Sequence, residues 1–100
     1  MIRHVVVFGI RGNGELTPNQ EAKRLAEKLM TLPEQIPFLK RMEVGVNSEQ
    51  APEDNAQLVL IADFDSIEDC AMYTIHPAHL AVSEEIGKVK TSRSCVDYEI

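Results

Sequence analysis

The sequence predicts an α+β fold of the ferredoxin-like, split βαβ kind: a four-stranded antiparallel sheet with both helices on one face. Three observations predict it. Segments with strand or helix character follow one another in the order strand, helix, strand, strand, helix, strand, which is that arrangement's order. The first and third strands are apolar at almost every position, as strands at the centre of a sheet are. Between the elements stand turn and capping residues that separate them cleanly.

Ile2 to Ile10 (IRHVVVFGI) is rich in β-branched residues and runs into the Gly12, Asn13, Gly14 cluster, a strand ending in a turn. Thr17, with Pro18 behind it and Gln20 three positions on, is a capping-box start. Ala22, Leu25, Ala26, Leu29 and Met30 then recur at helical spacing; Glu21, Lys23, Arg24, Glu27 and Lys28 take the other face, and Pro33 is expected to end the run. Leu39 to Asn47 places Met42, Val44 and Val46 on one face and Arg41 and Glu43 on the other, a half-exposed strand. Ala56 to Phe64 (AQLVLIADF) reads as a strand covered on both sides. Ser66 caps a short helix, Pro77 interrupts it, and a second helical piece is expected from about His79 to Val89. Ser92 to Ile100 closes the chain as the fourth strand.

One hundred residues with 44% apolar and 26% charged side chains suit a single domain, residues 1–100. With 16 acidic against 10 basic residues the net charge is −6, which repels phosphate backbones and anionic lipid surfaces. Nucleic acid and membrane are therefore not expected partners. No apolar stretch approaches the roughly 20 residues a membrane span needs, and Met1 leads straight into a strand rather than a signal-peptide pattern, so the cytoplasm is the expected compartment. Cys70 and Cys95 lack metal-type spacing and read as free thiols.

Both alternating sets of the central strands are apolar. His4, Val6, Phe8, Leu58, Leu60 and Phe64 can cover one side of the sheet, and Val5, Val7, Val59 and Ile61 the other. Helices on one face leave the second set bare, and a second copy of the chain is the simplest cover. A homodimer paired through Val5, Val7, Val59 and Ile61 is the expected assembly. The competing reading is a monomer whose own loops shield that face.

The stretch richest in chemistry is Tyr73 to Val82 (YTIHPAHLAV), with a phenol and two imidazoles around a proline. If Pro77 opens a helix, His79 lies in its first turn, where the positive end of the macrodipole lowers an imidazole's pKa and favours the neutral form that a general base needs. Tyr73 could donate a hydrogen bond to a developing oxyanion. The duller reading is that backbone carbonyls around the break satisfy both side chains. His76, at the end of the short helix, suits a capping role. No further ligands converge on His76 and His79, so neither a metal nor another cofactor is expected. Phosphate-binding loops, a nucleophile elbow and paired cysteine motifs are absent.

The opening Ile2-Arg3-His4-Val5-Val6-Val7-Phe8, the Ile36-Pro37 step, Gly45, and above all Tyr73-Thr74-Ile75-His76-Pro77-Ala78-His79 resemble the stress-responsive A/B barrel (Dabb) family of dimeric α+β barrels. The resemblance spans essentially the whole chain. It implies subunits paired through their sheets and a pocket between helices and sheet for a small hydrophobic or carbonyl-containing molecule. It extends to the plant polyketide cyclases of the olivetolic acid type, in which the tyrosine and second histidine of Y-x-x-H-P-x-H carry an aldol condensation. Transferred by position, His79 is the base, Tyr73 its partner and His4 a pocket histidine, giving a catalytic set of lyase or cyclase type. Val6, Phe8, Leu25, Leu29, Leu60 and His76 form the expected substrate wall. The chain departs from those cyclases in its first helix, which has no aromatic residue between Thr17 and Leu32. The alternative function is a non-catalytic dimer that serves stress tolerance through protein contacts.

Overall fold

A computed structural model describes the whole chain, Met1 to Ile100. Its elements are β1 (Ile2–Ile10), α1 (Pro18–Leu29), α2 (Leu32–Gln35), β2 (Arg41–Val46), β3 (Leu58–Phe64), α3 (Ile67–Ile75), α4 (Pro77–Gly87) and β4 (Lys90–Glu99). The sheet is antiparallel throughout, in the order β2-β3-β1-β4. This is the ferredoxin-like arrangement expected from the sequence.

Register decides what each strand presents to the helices. His4 stands between Ala62 and Asp97, Val6 between Leu60 and Cys95, and Phe8 between Leu58 and Arg93. Because successive strand residues point to opposite faces, these sets share the helix-covered side, where His4, Val6, Phe8, Leu58, Leu60, Ala62 and Phe64 are all buried. Val5, Val59 and Ile61 on the other face are only half-buried and Val7 is exposed. The expectation that the third strand is covered on both sides therefore fails within one chain, since no helix crosses that face. Val96 and Tyr98, absent from the expected interface set, extend the same face and are exposed.

The capping box at α1 forms in full: Gln20 N–H donates to Thr17 Oγ1 at 3.2 Å, and Thr17 N–H donates to the Gln20 side-chain oxygen at 2.9 Å. In the preceding turn the Asn13 side-chain oxygen accepts from Glu15 and Leu16 N–H, and a Cβ on Gly12 would collide with the Leu16 carbonyl. Ala22, Leu25 and Leu29 are buried beneath α1. Glu21, assigned to the solvated face, is buried too, because α1 packs against α4 there and Arg24, itself close to Glu85, holds its carboxylate.

Two further boundaries differ from expectation. Pro33 does not end the first helix; α1 stops at Leu29, and Pro33 sits in the first turn of α2, where a missing N–H leaves no bond unmade. The second piece of the broken helix begins at Pro77 rather than near His79 and ends at Gly87. β2, β3 and β4 are each displaced by about two residues at one or both ends from the spans expected for them, the ordinary uncertainty of element ends.

Candidate functional site

The Tyr73 to His79 segment is organised by Pro77. A proline ring drives the residue before it into extended backbone, and His76 adopts φ −64° and ψ 135°, ending α3 and capping α4 at once. Its Nδ1 accepts from Ala78 N–H at 3.1 Å, and its ring lies edge-on to Phe38 at 6.3 Å between centroids. His76 is thereby occupied as a helix cap and does not line the cavity described below, despite its place in the expected substrate wall.

His79 falls in the first turn of α4, and its Nδ1 lies 3.0 Å from the Thr74 carbonyl oxygen. A carbonyl only accepts, so Nδ1 carries the proton in this bond and the neutral ring keeps its lone pair on Nε2. Nε2 has no hydrogen-bond partner in the chain and is not an enclosed atom. Burial lowers the imidazole pKa below its ordinary 6.5; the Thr74 carbonyl opposes this, and the positive potential of His4, Arg93 and His76 adds to it. The ring is therefore neutral at pH 7.

A cavity of about 130 Å³ lies between the sheet and α4. Its floor is apolar, built from Val6, Phe8, Leu29, Leu60 and Ile86. His4, His79 and Thr74 stand on the wall, and the exposed Ser83, Lys90 and Arg93 mark the mouth. Of the expected substrate wall, Leu25 is buried under α1 away from this space, as His76 is turned away from it.

The two other expected site residues differ: His4 has a hydrogen-bond partner and Tyr73 has none. His4 Nδ1 is 2.5 Å from Asp97 Oδ1, its cross-strand neighbour, and the Cys95 thiol lies 3.5 Å from the same nitrogen. Tyr73 is fully buried, its ring 4.4 Å from His79, 5.1 Å from Phe64 and 5.9 Å from His4 between centroids. Its hydroxyl is enclosed without a hydrogen-bond partner, and burial raises its pKa. Such an orphan is rare in a folded chain, and Tyr73, unlike His4 and His79, does not line the cavity.

His4, Cys70 and Asp97 also offer ligand atoms within 4.8 Å of one another. The thiol set is not preorganised as thiolate: burial, with the carboxylate of Asp97 adding to it, pushes Cys70 up to about 11. A metal would have to displace that proton.

Sequence reasoning missed Lys90, Arg93 and Asp97. The signal was there in part, since Arg93, Cys95 and Asp97 alternate along the last strand at the spacing of one sheet face. What places them opposite Phe8, Val6 and His4 is register, which pattern alone does not reveal.

Sheet order and helix placement define a ferredoxin-like α+β subunit, with a small polar-walled cavity under the proline-broken helix. The model for the Stress responsive A/B Barrel Domain (Dabb) matches residues 2–100, and the chain belongs to that family. Among solved structures it is similar to a dimeric protein of unknown function from Bacteroides fragilis NCTC 9343, at 28% identity and TM-score 0.84 over 99% of this chain and 95% of that one. A dimeric ferredoxin-like protein of unknown function from Thermobifida fusca YX is 28% identical, TM-score 0.80, over 99% and 90%. A hydroxynitrile lyase from Passiflora edulis, 17% identical with TM-score 0.77 over 99% and 92%, shares the fold alone. No curated protein matches the chain.

Proposed function

We propose that the protein is a homodimer, paired through the sheet face of Val5, Val7, Val59 and Ile61, that binds a small carbonyl-containing molecule in the cavity and removes a proton from the carbon next to that carbonyl. The observation that carries the reading is the state of His79: Nδ1–H held by the Thr74 carbonyl, Nε2 unpartnered, and the pKa below 6.5. A neutral imidazole with its lone pair free is a general base ready to act. Nε2 takes the proton, the C–H electron pair moves into the adjacent C–C bond, and the carbonyl oxygen becomes an enolate oxygen. His4, fixed by Asp97, is the other polar ring on the cavity wall, while Tyr73 is enclosed and does not line the cavity, so its part is to pack against the His79 ring. The dimeric state of both 28%-identical relatives and the bare apolar face support the assembly.

Size favours a second reading in part. A 130 Å³ cavity is well below the roughly 300–1,000 Å³ of ordinary ligand pockets and near the ~150 Å³ that holds benzene. The first reading therefore takes a ligand of about six to eight heavy atoms, whereas the second makes the protein a non-catalytic dimer acting through protein contacts. Loss of NMR signal from the acidic protons of acetoacetamide in D₂O, faster with protein than with the His79→Gln variant, supports the base. Equal rates with the two proteins leave the second reading standing.

A further inference from the structure

We infer that the ligand of this cavity is an anion, a small carboxylate whose charge is received at the mouth by Lys90 and Arg93. The inference rests on the pocket reading above and adds the substrate class.

Charge distribution carries it. The chain has 16 acidic residues against 10 basic ones, yet both charged side chains on the cavity wall are cationic and no carboxylate lines it. Lys90 and Arg93 take part in no salt bridge, like Arg11, Lys23, Lys28 and Lys88 and unlike Arg3, Arg24, Lys40 and Arg41, so what sets them apart is their place at the cavity. Of the neighbouring carboxylates, Asp97 is held by His4 and Glu85 by Arg24, and Glu84, next to Ser83 on α4, is exposed and does not line the cavity. Two unpaired cations, with the Ser83 hydroxyl on the same wall, form a receptor for oxygen anions above an apolar floor.

The backbone is shaped to put both cations there. Arg93 stands opposite Phe8 and so faces the helices. At the next turn of the ladder the register slips, so that Gly9 pairs with Ser92 but Ile10 pairs with Lys90, leaving Thr91 out. Such a bulge re-aims the residues beyond it. Here it brings Lys90, not Thr91, opposite helix-facing Ile10. Gly9 permits the slip: its N–H donates to Ser92 Oγ at 3.1 Å, and a Cβ on it would collide with the hydroxyl oxygens of both Thr91 and Ser92.

Acetoacetate and acetoacetamide test this, because they are nearly isosteric, differ in charge at neutral pH and fit the cavity's size. The expected result by NMR titration is that acetoacetate binds about tenfold or more tightly, the preference falling as salt is raised. Lys90→Gln with Arg93→Gln, two exposed positions on the edge strand, should bring the two affinities together. Equal affinity for both compounds in the parent protein overturns the anion inference and leaves the pocket reading intact, as does a preference that survives the double substitution. Binding of neither compound overturns both. Gly9→Ala, which disturbs the bulge without removing a charge, should reduce the preference for acetoacetate while the affinity for acetoacetamide holds.

Discussion

The two faces of the same sheet differ far more than their residues do. Val6 and Val7 are neighbours of one type in one strand, yet Val6 is 1% exposed and Val7 37%. Parity alone separates them: Val6 points at α1 and α4, Val7 at nothing in the chain. The polar groups divide as sharply. The covered face holds the His4–Asp97 contact beside the cavity, while the open face holds Arg3, which donates to both oxygens of Asp63 at 2.8 and 2.9 Å. One face is thus completed by the chain's own helices, and the other is left for a partner.

Phe64 and the pair Val7 and Ile61 put that division to its strongest test. Phe64 is fully buried on the covered side, so Phe64→Ala should cost about 3–5 kcal/mol of folding free energy, read from the urea midpoint. Val7→Glu with Ile61→Glu should instead leave the fold near intact and abolish the dimer, since like charges facing each other at an apolar contact cost several kcal/mol. Sedimentation and circular dichroism separate the two outcomes. A double variant that remains dimeric removes Val7 and Ile61 from the interface.

A smaller effect belongs to the ion pair of the open face. Arg3 holds the Asp63 carboxyl below its ordinary 3.8, against the opposing effect of burial. A carboxyl with a depressed native pKa stabilises the fold above its unfolded value and loses that contribution as the pH falls through the native one. Asp63→Asn should therefore cost about 1–3 kcal/mol at neutral pH and flatten the stability curve below pH 4. An acid-unfolding profile unchanged by the substitution would show that the pair contributes nothing net, as exposed pairs often do.

Both faces were legible in the sequence because parity is written in it: Val5, Val7, Val59 and Ile61 alternate with His4, Val6, Phe8 and Leu60. Capping at Thr17 and Ser66 was legible too, being local chemistry. What escaped was non-local. Glu21 looked solvated because its burial depends on α4 packing over it, and Lys90 and Arg93 went unmarked because their place at the cavity mouth depends on the β4 register and its slip at Gly9 and Ile10. His76 and His79 were legible in part: the proline break alone gave His76 a capping role and put His79 in the first turn of the next helix, as found, whereas His76's expected place in the substrate wall failed because its ring turns to Phe38.

Titration of the three imidazoles gives the smallest and most specific effect. His79 should show an NMR pKa below 6.5, because burial penalises its charged form more than the Thr74 carbonyl favours it. The linkage has a definite sign. The unfolded chain takes up the His79 proton near its ordinary value while the folded chain resists, so stability should fall as the pH drops from about 6.5 to the native pKa and level off below it. His79→Gln should remove that slope without moving the acid limb assigned to Asp63. Filling the cavity with acetoacetamide should lower the pKa further by excluding water from Nε2, whereas acetoacetate should lower it less, its charge favouring the imidazolium. A His79 that titrates above 6.5 in the free protein would be protonated too readily to serve as the base, and proton abstraction by this residue would fall with it.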